Sequence, residues 1–352
     1  MHQFNKIVDT DIKSILRADI PWQRFHESTV LITGANGFLP AYMVETLLQL
    51  NKRDICVKVI ALVRDKEKAE KRFNRWLTFP ALSFLVQDVC DAINCEDKID
   101  YVIHAAGQAS PSYYGSDPVG TARPNVIGTD LLLRLALKNK SKGFLFFSSS
   151  EVYGGVPIVP TSENDYGSVD PVAARSCYAE SKRMGETLCS AYFRQYNLPV
   201  SMVRPYHTYG PGMQLGDGRV FSDFVSDIVK QQNIVLNSDG QATRSFCYLS
   251  DAVEAFFRVL LMGESGESYN VGNPDCEISI RDLALLLVDL FPEKGLVLET
   301  KTDVLSDYVP SLVSRSCPDI QKIEKLGWSP GIDLDEGFRR TVDSFSDRFA
   351  IK

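Results

Sequence analysis

The sequence predicts an α/β protein that is built on a doubly wound parallel sheet and carries a smaller α/β lobe towards its C-terminus. From residue 29 to residue 204, short apolar runs rich in β-branched residues alternate with helical patterns, and the first run leads directly into a glycine turn. Beyond residue 204 the alternation loosens. We therefore expect an N-terminal extension over 1–28, a Rossmann-type unit over 29–204, and a second lobe over most of 205–352 with some return to the first sheet.

Composition and charge exclude several classes of protein. The chain has 352 residues, of which 44% are hydrophobic and 24% charged, and its net charge of −7 disfavours binding to nucleic acid or to an anionic membrane. Its eight cysteines form no C-x-x-C pair and only four histidines accompany them, so we expect no metal site, no disulfide framework and the reduced thiols of a cytoplasmic protein. No apolar run approaches the roughly 18 residues of a membrane span.

The N-terminal extension predicts one short helix. Asp9-Thr-Asp11 is its candidate cap, Ile12, Ile15 and Leu16 share one face, and Pro21 follows. We expect this helix to pack on the body of the protein, as a clasp or an oligomer contact, without chemistry of its own.

The first strand, Thr29–Thr33, is followed at once by Gly34-Ala-Asn36-Gly37-Phe38-Leu39-Pro40 and then by a helical pattern. A strand, a glycine turn and a helix form a cradle for phosphate, because glycines let the backbone approach and the helix N-terminus supplies N–H donors. The spacing is G-x-x-G-x-x-P, and a proline in the first turn of a helix is tolerated because its missing N–H is not needed there. In this context we expect nucleotide binding.

The end of the second strand bears on the choice of cofactor. Val57–Val63 is this strand, and Arg64 and Asp65 follow it where an acidic residue would bind the ribose of NAD. Because Arg64 could instead meet a 2′-phosphate, NADP is not excluded.

Three further strands are predicted over 82–86, 100–104 and 143–147. The fourth strand of the chain runs into Ala105-Ala106-Gly107, small residues that would let a flat cofactor lie against the backbone, and its His104 is expected to be packed rather than catalytic. The fifth leads to Ser148–Gly154, whose hydroxyls and carboxylate fall where ligands bind in open parallel sheets.

Tyr178 and Lys182 lie four residues apart, in a stretch that favours a helix with Ser176 as its cap. On a helix this spacing puts both side chains on one face, one turn apart. A phenol has an ordinary pKa of about 10, and a neighbouring ammonium lowers that pKa by favouring the phenolate. The pair is therefore a candidate proton-transfer device for an alcohol or a ketone, although a lone Y-x-x-x-K more often marks an exposed helix.

Together, the motifs form an ordered series. They are T-G-x-x-G at 33–37, D-V at 88–89, H-A-A-G at 104–107, N-V-x-G-T at 125–129, S-S-S-E-V-Y-G at 148–154, Y-x-x-x-K at 178–182, R-P-Y-x-x-Y-G-P at 204–211, R-S-F-C-Y-L-S-D at 244–251 and C-P-D-I at 317–320. The series resembles the extended short-chain dehydrogenases/reductases, the class of nucleotide-sugar epimerases, dehydratases and decarboxylases. The resemblance covers roughly residues 29–345, and it implies a nucleotide-sugar-binding second lobe.

The resemblance implies a role for each matching residue. Tyr178 would take the proton of a sugar hydroxyl as NAD(P)+ takes hydride, Lys182 would lower the pKa of the tyrosine and hold the nicotinamide ribose, and Ser149 would hydrogen-bond the reacting oxygen. Ser150 and Glu151 complete the implied catalytic set. The implied cofactor contacts are Gly34, Asn36, Gly37, Phe38, Leu39, Arg64, Asp88, Val89, Ala105, Ala106, Gly107, Asn125 and Pro205, besides Tyr178 and Lys182. The implied substrate contacts are Ser110, His207, Arg219, Val220, Arg244 and Arg315.

The pair Ser150-Glu151 bears on which reaction follows oxidation of the sugar, commonly at C4. In 4,6-dehydratases this pair is Asp-Glu; here the acid is absent, and serine is a poor proton donor to a leaving hydroxyl. UDP-glucuronate decarboxylases are more similar, with a hydroxyl residue, Ser and Glu before V-Y-G, and a 4-keto uronate loses CO2 readily. Arg315 is a candidate to orient the carboxylate of such a substrate.

Alternatives stay open at this point. A 4,6-dehydratase and a 4-epimerase are both compatible with the motifs, although an epimerase needs no Glu151. A non-catalytic dinucleotide sensor is remote, because it would be expected to lose Tyr178 and Lys182. Pro40 in place of a third glycine and His207 in place of the frequent Asn depart from the family pattern. The family also implies a homodimer, through helices in 125–137 and 178–196.

Overall fold

A seven-stranded parallel sheet forms the centre of the computed structural model, which describes residues 5–155, 158–300 and 313–349. Its strands are β1 Ser28–Thr33, β2 Val57–Val63, β3 Leu82–Val86, β4 Tyr101–His104, β5 Gly143–Phe147, β6 Val200–Pro205 and β10 Ser268–Val271. The order across the sheet is β10-β6-β5-β4-β1-β2-β3. The order reverses between β1 and β4, which confirms the predicted doubly wound α/β class.

The remaining strands build two small sheets after residue 205. These strands are β7 His207–Tyr209, β8 Ile234–Leu236, β9 Thr243–Tyr248, β11 Glu277–Ser279, β12 Leu298–Thr300 and β13 Arg315–Ser316. β9 pairs with β7, β11 and β13, and β8 pairs with β12. Between these small sheets the chain returns to the central sheet to form β10, the edge strand beside β6.

Helices cover both faces of the central sheet. The α-helices of the described ranges are α1 Lys6–Arg17, α2 Phe38–Leu50, α3 Lys66–Arg72, α4 Ser112–Ser116, α5 Pro118–Arg123, α6 Thr129–Asn139, α7 Ser176–Tyr196, α8 Val220–Val229, α9 Leu249–Met262, α10 Ile280–Leu290, α11 Gln321–Glu324 and α12 Leu334–Phe349. One apolar cluster joins α1, α2 and α9 to one sheet face, and a second joins α6 and α7 to the other. A third fills the second lobe between α8, α10 and α12. No helix in the described ranges is both long and apolar enough to span a membrane.

Two helix caps differ from the sequence prediction. α1 is capped by Asn5, whose side chain accepts hydrogen bonds from the backbone of Ile7 and Val8, and Asp9 lies inside the helix. α7 begins at Ser176 itself, with Arg175 in the cap position and no side-chain cap. The hydroxyl of Ser176 donates to the backbone oxygen of Asp170 in the preceding loop instead, so it does not cap its own helix.

The start of α9 also differs. Ser250 and Asp251 have the residue types of a helix cap, but the helix begins at Leu249. The carboxylate of Asp251 accepts hydrogen bonds from the backbone N–H groups of Gly331 and Ile332, at 2.9 Å each. Asp251 therefore holds a distant loop rather than its own helix.

Helix α1 of the N-terminal extension contacts both lobes. Its Asp11 is fully buried and accepts hydrogen bonds from Tyr42 of α2 at 3.3 Å, from Tyr248 of β9 at 2.8 Å and from Arg340 of α12 at 3.0 Å. Burial raises the pKa of Asp11 to about 6, against the opposing effect of these three partners. Because α2 starts at the glycine turn and α12 belongs to the second lobe, α1 ties the two together.

Candidate active site

The candidate site lies at the carboxyl ends of β1, β4, β5 and β6, beside the point where the strand order reverses. In open α/β sheets this is where ligands bind. The glycine turn follows β1, the small residues follow β4, and Ser148 follows β5. Pro205 ends β6 at the same edge.

The glycine turn is built for close approach of a ligand. Gly34 has a φ of 61°, and a Cβ on it would lie 2.9 Å from the Cα of Ala106. Gly37 occupies the cap position of α2, and a Cβ there would lie 3.0 Å from the carbonyl oxygen of Gly34. Asn36, Phe38 and Leu39 continue this turn into α2. Backbone N–H groups at the start of a 13-residue helix can therefore meet a pyrophosphate, which fits a dinucleotide.

Arg64 and Asp88 lie next to each other at the ends of β2 and β3. Their side chains form an ion pair at 3.9 Å; that of Arg64 is largely exposed and that of Asp88 is partly buried. Asp88 also accepts a hydrogen bond from the N–H of Cys90 at 2.8 Å, which fixes the turn that carries Val89. The structure thus places Arg64 and Asp88, the implied contacts of the ribose and the adenine, side by side. The cation next to the implied ribose position is therefore paired with a carboxylate.

The turn after β4 is fixed by Thr33. Its hydroxyl accepts from the N–H groups of Ala105 at 3.2 Å and Ala106 at 3.1 Å, and contacts Nδ1 of His104 at 2.8 Å. His104 is buried, and burial lowers its pKa to about 3 with the charge of Lys182 adding to the effect. A neutral histidine with two partners has a structural role, as expected.

Asn125 lies behind the site in the π-helical turn 124–128 that precedes α6. Its Nδ2 donates to the backbone oxygen of Thr121 at 3.1 Å and to the hydroxyl of Ser181 at 2.9 Å. Its buried Oδ1 has no hydrogen-bond partner among the described residues. That oxygen would lie 3.2 Å from a Cβ on Gly107, so it faces the strip of small residues where a cofactor would lie.

Tyr178 and Lys182 share one face of α7, as their spacing predicts, and the structure buries both side chains. The ammonium donates to the carbonyl oxygen of Phe147 at 2.5 Å and lies 5.7 Å from the centre of the Tyr178 ring. Burial lowers the pKa of Lys182 to about 7, although the charge of Glu186 opposes it.

The pKa of Tyr178 differs from the sequence prediction. We expected Lys182 to lower it, but burial raises it to about 12, with a hydrogen bond to Ser149 acting in the opposite direction. The charge of Glu151 raises the pKa further, and that of Arg219 lowers it. Desolvation of the phenolate therefore outweighs the charges around it in this structure.

Ser149, Ser150 and Glu151 form a short helical turn directly after β5. The hydroxyl of Ser149 accepts from the N–H of Glu151 at 3.2 Å, which holds this turn beside Tyr178. The carboxylate of Glu151 is partly exposed and lies 4.0 Å from the guanidinium of Arg175. The structure therefore brings together all five residues of the implied catalytic set.

The sequence analysis missed Tyr114 and Arg175. The ring of Tyr114 stacks on Tyr178 at 5.3 Å between centres and 17° between planes. The guanidinium of Arg175 lies 5.5 Å from the centre of the Tyr114 ring. Arg175 could have been found from its position three residues before Tyr178, whereas Tyr114 carries no local signal because its segment is 64 residues away.

Of the implied substrate residues, Ser110 lies in the segment after β4, and the others lie beyond residue 205. Ser110 donates to the backbone oxygen of Asp217 at 2.5 Å, and the guanidinium of Arg219 binds the carboxylate of Asp217 at 2.6–3.2 Å, just before Val220 opens α8. Burial lowers the pKa of His207, on β7, to about 3, and the charges of Arg244 and Arg219 act in the same direction. Its Nδ1 is buried without a hydrogen-bond partner in the described part of the chain.

Arg244 and Arg315 occupy neighbouring strands, β9 and β13. Arg244 donates to the backbone oxygens of Thr243 at 2.7 Å and Val313 at 2.8 Å. Arg315 is half-exposed and makes a two-point ion pair with Glu277, at 2.7 and 2.8 Å. Its hydrogen bonds lower the pKa of Glu277 to about 2. The role of Arg315 towards a substrate stays a prediction.

A phosphate-binding turn at the reversal point of the sheet, a buried Tyr-Lys pair on α7 and a second lobe beside them define an extended short-chain dehydrogenase/reductase. The chain belongs to the NAD dependent epimerase/dehydratase family, whose model matches residues 30–272. It is an enzyme of this family, and NAD is its cofactor.

Individual relatives are similar over nearly the whole chain. UDP-glucuronic acid decarboxylase 6 of Arabidopsis thaliana is 35% identical over 326 residues, which cover 92% of this chain and 90% of that protein. UDP-glucuronic acid decarboxylase 1 of Xenopus tropicalis is 34% identical over 318 residues, or 90% and 72% of the two chains. The dTDP-glucose 4,6-dehydratase DesIV of Streptomyces venezuelae, solved with NAD and TYD bound, superposes with a TM-score of 0.79 at 25% identity, over 92% and 98% of the two chains. The UDP-glucose 4-epimerase of Thermotoga maritima, with UDP-glucose, has a TM-score of 0.76 at 25% identity, over 91% and 99%.

Proposed function

We propose that the chain converts a UDP-linked uronate, with UDP-glucuronate as the best candidate, by oxidising its C4 hydroxyl and then releasing CO2. The observation that carries this proposal is the Ser149-Ser150-Glu151 turn beside Tyr178. It offers a hydroxyl and a carboxylate to the reacting sugar, but no acid at position 150 to protonate a leaving hydroxyl. The similarity to proteins named UDP-glucuronic acid decarboxylase supports the same choice.

The proposed reaction uses Tyr178 as the group that receives the proton of the C4 hydroxyl. Ser149 hydrogen-bonds the same oxygen, and Lys182 binds ribose hydroxyls and stabilises the phenolate that accepts this proton. Bound NAD+ supplies the hydride acceptor for the oxidation and returns the hydride at the end. The 4-keto uronate is a β-keto acid, so the C5–C6 bond breaks to give CO2 and an enolate, and one proton then adds to C5. The balanced outcome is a UDP-pentose, CO2 and unchanged NAD+.

Two other outcomes of the same oxidation remain candidates. Dehydration is favoured by the presence of Glu151, which could remove the C5 proton, and disfavoured by Ser150. Epimerisation requires the oxidised sugar to rotate in the site, and it makes no use of Glu151.

The test is to incubate the purified enzyme with NAD+ and each of UDP-glucuronate, UDP-glucose and dTDP-glucose, and to measure product masses. We expect UDP-glucuronate to lose the mass of CO2. Loss of the mass of water from a hexose would identify a dehydratase instead, and a product of unchanged mass with altered stereochemistry would identify an epimerase. Dinucleotide binding without any turnover would contradict all three.

We also propose that the enzyme is a cytoplasmic homodimer. The outer surface of α6 and α7 exposes Met184 and Tyr196, and Ile127 is exposed in the turn that precedes α6. A cleft between these helices is lined by Arg134, Leu137, Lys138, Tyr192 and Tyr196. A second copy packed on this face would cover these apolar side chains. Light scattering should give twice the mass of the chain, and Met184→Glu should lower it to that of one chain.

A further inference from the structure

The end of β2 lies directly beside the glycine turn. The backbone N–H of Ala35 in that turn donates to the backbone oxygen of Leu62 at 3.4 Å. A dinucleotide whose pyrophosphate lies on the turn therefore places its adenosine ribose at the residues that follow β2. Those residues are Arg64 and Asp65, and Asp88 faces Arg64 from beyond the end of β3. We call these three residues the ribose subsite.

Asp65 is the residue of this subsite whose type suits the ribose hydroxyls of NAD, but it is engaged by its own helix. Its carboxylate caps α3 by accepting a hydrogen bond from the backbone N–H of Lys68 at 3.0 Å. The ammonium of Lys68 lies 3.2 Å from the same carboxylate. The hydrogen bond from the N–H lowers the pKa of Asp65, and the Lys68 side chain acts in the same direction. Asp65 thus serves the start of α3.

The guanidinium of Arg64 is in the opposite situation. Its side chain is 66% exposed, and its ion pair with Asp88 is 3.9 Å long, which exceeds hydrogen-bond distance. No residue in the described ranges accepts a hydrogen bond from it. A guanidinium presents five N–H donors in a planar fork that matches the oxygens of a phosphate. Arg64 can therefore bind an anion at the ribose without giving up a hydrogen bond of the fold.

The charge around Arg64 favours such an anion. Residues 64–72 contain five basic and three acidic side chains, in a chain whose net charge is −7. NADP differs from NAD by one phosphate, which replaces the 2′-hydroxyl of the adenosine ribose. A carboxylate at this place suits the hydroxyl and repels the phosphate, whereas an arginine accommodates the phosphate.

We infer that Arg64 binds the 2′-phosphate of NADP, so that the enzyme takes up NADP in addition to NAD. The inference does not depend on which sugar is converted. In each of the reactions considered above, the sugar gives up a hydride and regains it, so the net redox balance is the same with either dinucleotide. The subsite therefore widens the choice of cofactor without changing the chemistry at Tyr178.

The test is displacement of NADH from the full-length enzyme by NAD+ or by NADP+, followed through the fluorescence of the bound nicotinamide. For the wild type we expect the two midpoints to lie within about tenfold of each other. Arg64→Gln removes the fork, so it should weaken NADP+ by about 10- to 100-fold and NAD+ by less than about threefold. Arg64→Asp places a carboxylate at the ribose, and it should weaken NADP+ further while NAD+ is retained.

Lys71→Gln is the matched control, because it removes the same charge from an exposed side chain in the last turn of α3. Its ratio of NADP+ to NAD+ midpoints should equal that of the wild type. Three results would overturn the inference: a wild-type midpoint for NADP+ more than about tenfold above that for NAD+, equal weakening of both dinucleotides by Arg64→Gln, or the same selective loss in Lys71→Gln. Product masses test the proposed function separately, so either proposal can fail while the other stands.

Discussion

Two buried cations, Lys182 on α7 and Arg204 on β6, are each only 5% exposed, but they differ in the hydrogen-bond acceptors that surround them. The guanidinium of Arg204 binds both carboxylate oxygens of Glu186, at 2.8 and 2.7 Å, and also contacts the hydroxyl of Tyr153 and the backbone oxygen of Glu163. The ammonium of Lys182 donates to one carbonyl oxygen and otherwise lies over aromatic rings.

Their pKa values reflect this difference. Burial opposes the charge of both groups, but the hydrogen bonds of Glu186 raise the pKa of Arg204 above its ordinary value, whereas burial lowers that of Lys182 to about 7. Arg204 is thus a structural cation that joins β6, α7 and the segment around Glu163. The ammonium of Lys182 has few hydrogen-bond acceptors around it, which leaves N–H donors for the hydroxyls of a ligand.

The largest effect expected on the Lys182 side is that of Tyr178→Phe. Removing the phenolic hydroxyl removes the proton acceptor, so kcat should fall by about 10²- to 10⁴-fold while the affinity for NAD+ and the Tm stay unchanged. The measurement is turnover of the accepted sugar nucleotide alongside dinucleotide titration. Full activity in this variant would refute the proposed chemistry.

The largest effect expected on the Arg204 side is on stability. Arg204→Met leaves Glu186 as a mostly buried carboxylate without its partner, so the free energy of unfolding should fall by about 3–5 kcal/mol. Urea denaturation of the variant and of the wild type measures this difference. The residual activity per folded molecule should remain far above that of Tyr178→Phe; a loss as deep as in that variant would mean that Arg204 also serves the reaction.

Lys182→Met should act in the opposite direction on stability. Below pH 7 the lysine is charged in both the folded and the unfolded chain, and its burial as a cation costs stability, so the variant should be more stable by about 1–3 kcal/mol. As pH rises from about 7 towards 10.5, the folded state releases the proton first and the wild type should regain this difference. Denaturation curves at pH 6 and pH 9 test this trend. A stability difference between the variant and the wild type that widens as pH rises would contradict it.

The smallest effect is expected for Arg315→Gln. Its ion pair with Glu277 is half-exposed and lies on β13, and exposed ion pairs contribute little. We expect kcat/KM for UDP-glucuronate to change by less than about threefold. A larger loss would indicate that Arg315 orients the substrate carboxylate.

Local sequence patterns predicted most of the framework because their physical cause is local. The strands Val57–Val63 and Gly143–Phe147 were predicted with the bounds that the structure shows, since a continuous apolar run indicates a strand that is buried on both faces. Caps were predicted less well. Ser176 and Asp251 have the residue types of caps, but each is bound to a partner that is distant or outside its helix.

In the candidate site too, features with a local cause were predicted and features set by the tertiary structure were not. The spacing of Tyr178 and Lys182 predicted that they share a face, because a helix has a fixed period. The pKa of Tyr178 was predicted with the wrong sign, since desolvation depends on side chains such as Tyr114 that only the tertiary structure brings near. Tyr114 was missed for a related reason: only the tertiary structure brings its ring onto that of Tyr178.

The contacts of helix α1 have a consequence for how the chain reaches its native state. The side chain of Asn5 donates to the backbone oxygen of Ser344 at 3.2 Å, a contact between residues 339 positions apart, and Asp11 meets Arg340 across 329 positions. Contacts of such high sequence separation are favourable only after the intervening chain has been ordered, because they close a very long loop. We therefore expect α1 to dock last during folding. If synthesis were interrupted, the central sheet would be assembled, but the two lobes of the protein would not yet be joined.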